Sequence, residues 1–149
     1  RYYRHNTDGN KNESLTNSEK LRYSAAVTTF ITGILHLTFV PNLIGISGYT
    51  SLFFLITGIA QLFWVVPILK KWSNIWCYVG IGGTFILISL WLITRVPHNR
   101  ILYRALPVND IGIVIEVLQT AFIILCGLII VTTNRELYTQ EKETELKDE

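Results

Sequence analysis

The sequence predicts an all-α fold, a polytopic membrane protein built as a four-transmembrane-helix bundle. Three observations predict it. Half of the 149 residues are hydrophobic and only 16% are charged, with a mean hydropathy of +0.36, whereas a soluble domain carries about 25% charged residues. The deficit is concentrated: no Asp, Glu, Lys or Arg occurs from Tyr23 to Leu69 or from Trp72 to Thr94, and from Ile111 to Asn134 there is only Glu116. A bilayer core about 30 Å thick needs roughly 20 apolar residues in helical form, so the first run is long enough for two spans and the others supply one each. A soluble helical bundle is the competing reading, and it would show a charged face on each helix.

Residues 1–22 are polar and Asn-rich, and predict a tail unable to fold alone. The first span is expected over about 23–40, where Pro41 ends or kinks it. A turn rich in Gly, Ser and Asn follows, then a second span over 50–69 with Pro67 near its end. Lys70 and Lys71 make a short basic connection to a third span over 75–94. The longest connection, "RVPHNRILYRALPVND", is bounded by Pro97 and Pro107, and Asp110 is placed to cap a fourth span over 111–133. These spans make a transmembrane domain over 23–134. Residues 135–149 form a charged tail with Glu–Lys spacing that either extends the helix into water or frays.

The chain begins with Arg1 and contains no Met, so residues are expected to precede it. Of the 13 Lys and Arg residues, ten lie in the N-terminal tail, the 70–71 connection and the C-terminal tail, and three lie in the 95–109 connection. Positive charge stays inside, which predicts a plasma-membrane protein with both termini in the cytoplasm. Lys and Arg sit at segment ends and form no basic stripe, so no nucleic-acid partner is expected. Cys77 and Cys126 fall in or beside apolar runs, form no zinc motif and read as structural filler.

Helices in lipid associate through small residues and interhelical hydrogen bonds. Each span has such a face at spacings of three and four: Thr29, Thr32, Gly33 and His36; Gly58, Gln61 and Trp64; Gly80, Thr84, Leu87 and Trp91; Gly112, Glu116, Gln119 and Cys126. At 1.5 Å per residue, Glu116 lies roughly 9 Å and His36 roughly 7 Å from the predicted outer helix ends. With Trp91 and Arg95 they are expected to meet in one outer cluster. Ionisable groups in a membrane are functional-site candidates by default. The candidate set is therefore His36, Gln61, Trp64, Trp91, Arg95, Glu116 and Gln119. Three roles compete for it: a structural hydrogen-bond cluster, a pocket for a quinone, haem or small substrate, and a proton or ion path. One His and one carboxylate make a thin metal site where three or four ligands are usual; His98 falls in the outer connection and His5 in the tail. No metal site and no cofactor are expected, with a lipid or quinone as the ligands to consider. No hydrolase elbow, P-loop, dinucleotide fingerprint or zinc-protease motif is present.

The ordered set H-L-x-x-x-P (His36–Pro41), "SLFF" (51–54), G-x-x-Q-x-x-W (Gly58–Trp64), W-x-x-x-R (Trp91–Arg95), P-x-x-x-x-G (Pro107–Gly112) and Glu116 resembles small four-span membrane proteins of archaea and actinobacteria that have no established activity. The resemblance covers about residues 25–125. Such proteins are expected to carry Pro-Glu-His after the first-span His, where this chain has Pro41-Asn42-Leu43. The Asn- and Lys-rich tails and the overall shape also resemble accessory subunits of archaeal ammonia monooxygenase. That resemblance implies a non-catalytic subunit of a membrane oxidoreductase complex, with other integral membrane subunits and lipids as partners. A stand-alone binding or transport protein using His36, Gln61 and Glu116 is the alternative. It calls for an inverted repeat or a broken helix, and neither is evident.

Overall fold

The apolar runs become four α-helices in the computed structural model: α1 (Tyr3–Ile44), α2 (Gly48–Leu69), α3 (Ile75–Arg95) and α4 (Asp110–Asp148). The structure describes residues 3–45, 48–96 and 109–148, with side chains over 17–45, 48–96 and 109–147. The connection containing Pro97, His98 and Pro107, and the side chain of His5, lie outside the described residues. All four helices are long and apolar enough to cross a membrane. No strand occurs among the described residues.

α1 packs along both α2 and α4, and α3 packs along α4, while α2 and α3 touch only sparsely. The order around the bundle is therefore α2–α1–α4–α3, with a loose seam between α2 and α3. A buried cluster of Ala25, Ala26, Ile68, Cys77, Phe122, Cys126, Ile129 and Ile130 lies towards the end that carries the termini. Large apolar side chains such as Phe30, Ile56, Ile59, Phe85, Ile86 and Val117 instead face outward. In water such a surface would aggregate; in a bilayer it meets lipid tails.

The closest helix pair is α1–α2. A Cβ placed on Gly33 would stand 3.0 Å from the Gly58 carbonyl oxygen, and one on Gly58 would stand 2.8 Å from Leu37 Cδ2. The two glycines let the backbones approach, and the Thr29 hydroxyl then donates to the Gln61 carbonyl at 3.2 Å. Near the other end of α1, Ser51 Oγ donates to the Val40 carbonyl at 3.0 Å.

Three expectations about element boundaries change. Pro41 does not end the first helix, which continues to Ile44. A proline removes one backbone donor, and membrane helices tolerate that where neighbouring groups help satisfy the backbone. The polar N-terminal residues are not a separate tail in backbone terms, because α1 already begins at Tyr3. Helix propagation is cheap once nucleated, and tertiary contacts reach below the apolar run: Ser18 and Arg22 are buried, and Arg22 Nη2 donates to Thr133 Oγ1 at 3.3 Å. The fourth helix is capped by Asn109, not Asp110. Asn109 Oδ1 accepts from the Gly112 N–H at 3.1 Å and its carbonyl accepts from Ile113 N at 3.1 Å, which makes Asn109 the N-cap and Asp110 the first helical residue.

The C-terminal residues resolve in favour of a continuing helix, since α4 runs to Asp148. The α2–α3 connection is a tight left-handed cap. Lys71 takes φ 52°, Trp72 N donates to the Pro67 carbonyl at 3.1 Å and Lys71 N to the Ile68 carbonyl at 3.4 Å, the paired bonds of a Schellman motif. Lys71 Nζ then reaches Glu19 Oε1 on α1 at 2.8 Å.

Candidate functional site

The four faces proposed from residue spacing do turn inward. Thr29, Thr32, Gly33 and His36 on α1, Gly58 and Gln61 on α2, Gly80 and Thr84 on α3, and Gly112, Gln119 and Cys126 on α4 are all buried. Trp64, Leu87, Trp91 and Glu116 are half-buried. What differs is the neighbour each face meets.

His36 does not join Glu116, Gln61 or Trp91. Its Nδ1 lies 2.9 Å from the Thr32 carbonyl of its own helix, and its ring packs 5.5 Å from the Phe54 ring on α2. With α1 extended to Ile44, His36 sits about 12 Å below the helix end. The single outer cluster expected from depth therefore splits in two. His36 belongs to the α1–α2 contact, and Trp91, Arg95 and Glu116 belong to the α3–α4 contact. The physical reason is the order of helices: depth along a helix says nothing about which helix stands opposite.

At the α3–α4 contact, the Arg95 guanidinium carbon lies 4.8 Å over the Trp91 ring, a cation–π stack. Arg95 and Glu116 are close enough for each to feel the other's charge. Arg95 Nε, Trp91 Nε1 and Glu116 Oε2 are buried without hydrogen-bond partners. Beside them runs a groove of about 490 Å³ lined by Trp91, Glu116 and apolar residues including Leu92, Val117 and Ala121. Gly112 makes room here: a Cβ on it would collide with Asn109 Oδ1 and stand 3.3 Å from Trp91 Nε1.

Trp64 ties α2 to the start of α3, its Nε1 donating to the Trp76 carbonyl at 3.0 Å. It also packs edge-on against Trp76 at 5.7 Å, and Trp72 continues the aromatic cluster 5.3 Å from Trp76. A Cβ on Gly80 would stand 2.5 Å from Trp64 Nε1, so this glycine is what admits the indole. Gln61 and Gln119 are buried, each with an Oε1 that finds no partner. Gln61 lines a second cavity, of about 210 Å³, between α2 and α3.

Two groupings escaped sequence reasoning. Arg22 is buried among the helices at the terminal end. Cys77 on α3 and Cys126 on α4 lie in the same buried cluster. Both cysteines are free. The signal was present: continuing the spacing of three and four down from Thr29 reaches Ala26, Ala25 and Arg22, and down from Gly80 reaches Cys77. Among the described residues, no three His, Cys, Asp or Glu side chains converge as a metal site would require.

The hydrogen bonds of the seam join helix to helix or side chain to its own helix. Thr29, Ser51 and Trp64 each donate to a carbonyl of another helix. Asn74 Nδ2 lies 3.4 Å from Asn134 Oδ1, linking the start of α3 to α4. Such bonds fix helix register and separation. Comparison with protein-family models, curated proteins and solved structures finds no match to this chain.

Proposed function

We propose that the chain is a small, non-catalytic subunit of a larger membrane oxidoreductase complex, seated in the plasma membrane with both termini in the cytoplasm. The observation that carries this reading is the helical extension of α4. Residues 135–148 continue the helix about 21 Å past the apolar run. They are charged on most positions, yet Leu137, Tyr138 and Leu146 stand 58%, 68% and 68% exposed. Tyr138 and Leu146 are eight residues apart and share a face. Apolar side chains held out on a charged helix suit an extramembrane partner surface better than water. The interhelical hydrogen bonds of Thr29, Ser51 and Trp64 agree with a structural role, in which chemistry takes place on other subunits.

The resemblance of the tails to accessory subunits of archaeal ammonia monooxygenase makes a complex of that class the first partner to test. In this reading the chain holds no metal of its own, and contacts other integral membrane subunits and surrounding lipid. Truncation after Asn134 tests the reading. The shortened chain is expected to stay membrane-inserted and thermally stable while losing co-migration with the larger assembly on native gels. Full retention in the assembly would contradict it.

A further inference from the structure

The cavity between α2 and α3 has features that neither packing nor the subunit reading uses. It lies at mid-span, where Thr57, Gln61, Trp64, Gly83, Thr84 and Phe122 face it. Gln61 is only 8% exposed and its Oε1 has no partner. The Thr57 and Thr84 hydroxyls make no hydrogen bond among the described residues. An unpaired buried polar group is costly, and more so where no water can reach it. The orphaned Gln61 oxygen, with two threonine hydroxyls beside it in the same wall, points to a hydrogen-bonding occupant.

The chemistry of the walls narrows that occupant. No ionisable side chain lines the cavity, so a charged head would be left uncompensated in a low-dielectric setting. The Gln61 oxygen calls for a donor, while the threonine hydroxyls and the Gln61 amide nitrogen can donate. A hydroxyl supplies both roles. A cavity of about 150 Å³ lined by apolar side chains holds a benzene ring, and this one measures about 210 Å³ with Trp64 and Phe122 in its walls. Because α2 and α3 touch only sparsely, the space opens sideways between them, giving an apolar tail a way out to lipid.

We propose that the α2–α3 cleft binds a neutral membrane amphiphile whose head is a hydroxyl-bearing six-membered ring of the phenol or quinol class, held by Gln61, Thr57 and Thr84. The site binds its ligand without a redox step. It stands on observations separate from those behind the subunit reading.

The test measures saturable binding of radiolabelled para-nonylphenol and para-nonylanisole to the full chain in lipid nanodiscs, with empty nanodiscs subtracted. The methyl ether deletes the donor and keeps the ring and tail. The phenol is expected to saturate at one per chain and to bind at least about tenfold more tightly than the ether, the scale of one buried hydrogen bond. Gln61→Leu is expected to abolish that preference. Gly83→Leu plugs the cavity from α3, and because nothing lies within 4 Å of a Cβ at that position, the variant is expected to keep wild-type thermal stability while losing binding. No saturable phenol binding, equal binding of phenol and ether, or undiminished binding to a stably folded Gly83→Leu would each overturn the proposal. So would a native complex that blocks the phenol while the isolated chain binds it, because a partner helix would then be the occupant.

Discussion

Gly80 shows how one missing side chain organises a helix contact. Trp64 reaches the Trp76 carbonyl only because its indole passes over Gly80. Gly80→Ala puts a methyl 2.5 Å from Trp64 Nε1, where the obstruction is the ring itself and not a flexible chain end. We expect a loss of about 1–3 kcal/mol, the usual cost of overpacking, read as a lower unfolding midpoint in detergent. Gly82→Ala, where no atom lies within 4 Å of the added Cβ, is the matched control and should not lose stability. The inward faces at this scale were legible, because small and polar residues at spacings of three and four mark one side of a helix whatever it packs against. The partners were not. His36 lies against Phe54 and not Glu116, since a residue pattern gives direction on its own helix and leaves the order of neighbours open.

At the scale of elements, hydropathy located four apolar helices but missed how they begin and end. Pro41 reads as a stop or a kink, and α1 runs on through it to Ile44. The tails read as polar, yet α1 and α4 continue through them, joined at the membrane edge by Arg22 and Thr133. Such continuations depend on tertiary packing, which composition does not encode. The cap of α4 offers a direct check. Asn109→Ala should lower stability by about 1 kcal/mol, because it removes the oxygen that meets the Gly112 N–H, while Asp110→Ala leaves that bond intact and should cost less. The α2–α3 cap is the converse case. Lys71 holds φ 52°, where a Cβ is unfavourable and glycine is not. Its bond to Glu19 is a surface ion pair of the kind that contributes little. Lys71→Gly should therefore raise stability, by about 1 kcal/mol, in the same thermal assay.

For the whole molecule, the four apolar helices and their outward-facing Phe, Ile and Val side chains place the chain in a membrane environment. The antiparallel order brings Glu19, Lys71, Asn74, Arg22, Thr133 and Asn134 to one end, so the two extensions project together. Because the sequence carries ten of its 13 basic residues in the two tails and the 70–71 connection, tags on both termini are expected to be digested only after the cytoplasmic face is opened; digestion in intact cells would reverse the orientation. The subunit proposal is tested most directly by native mass spectrometry of the assembly extracted from its own membranes. This chain is expected in fixed stoichiometry with larger integral membrane subunits of an oxidoreductase. Recovery of the chain only as a free monomer would contradict it.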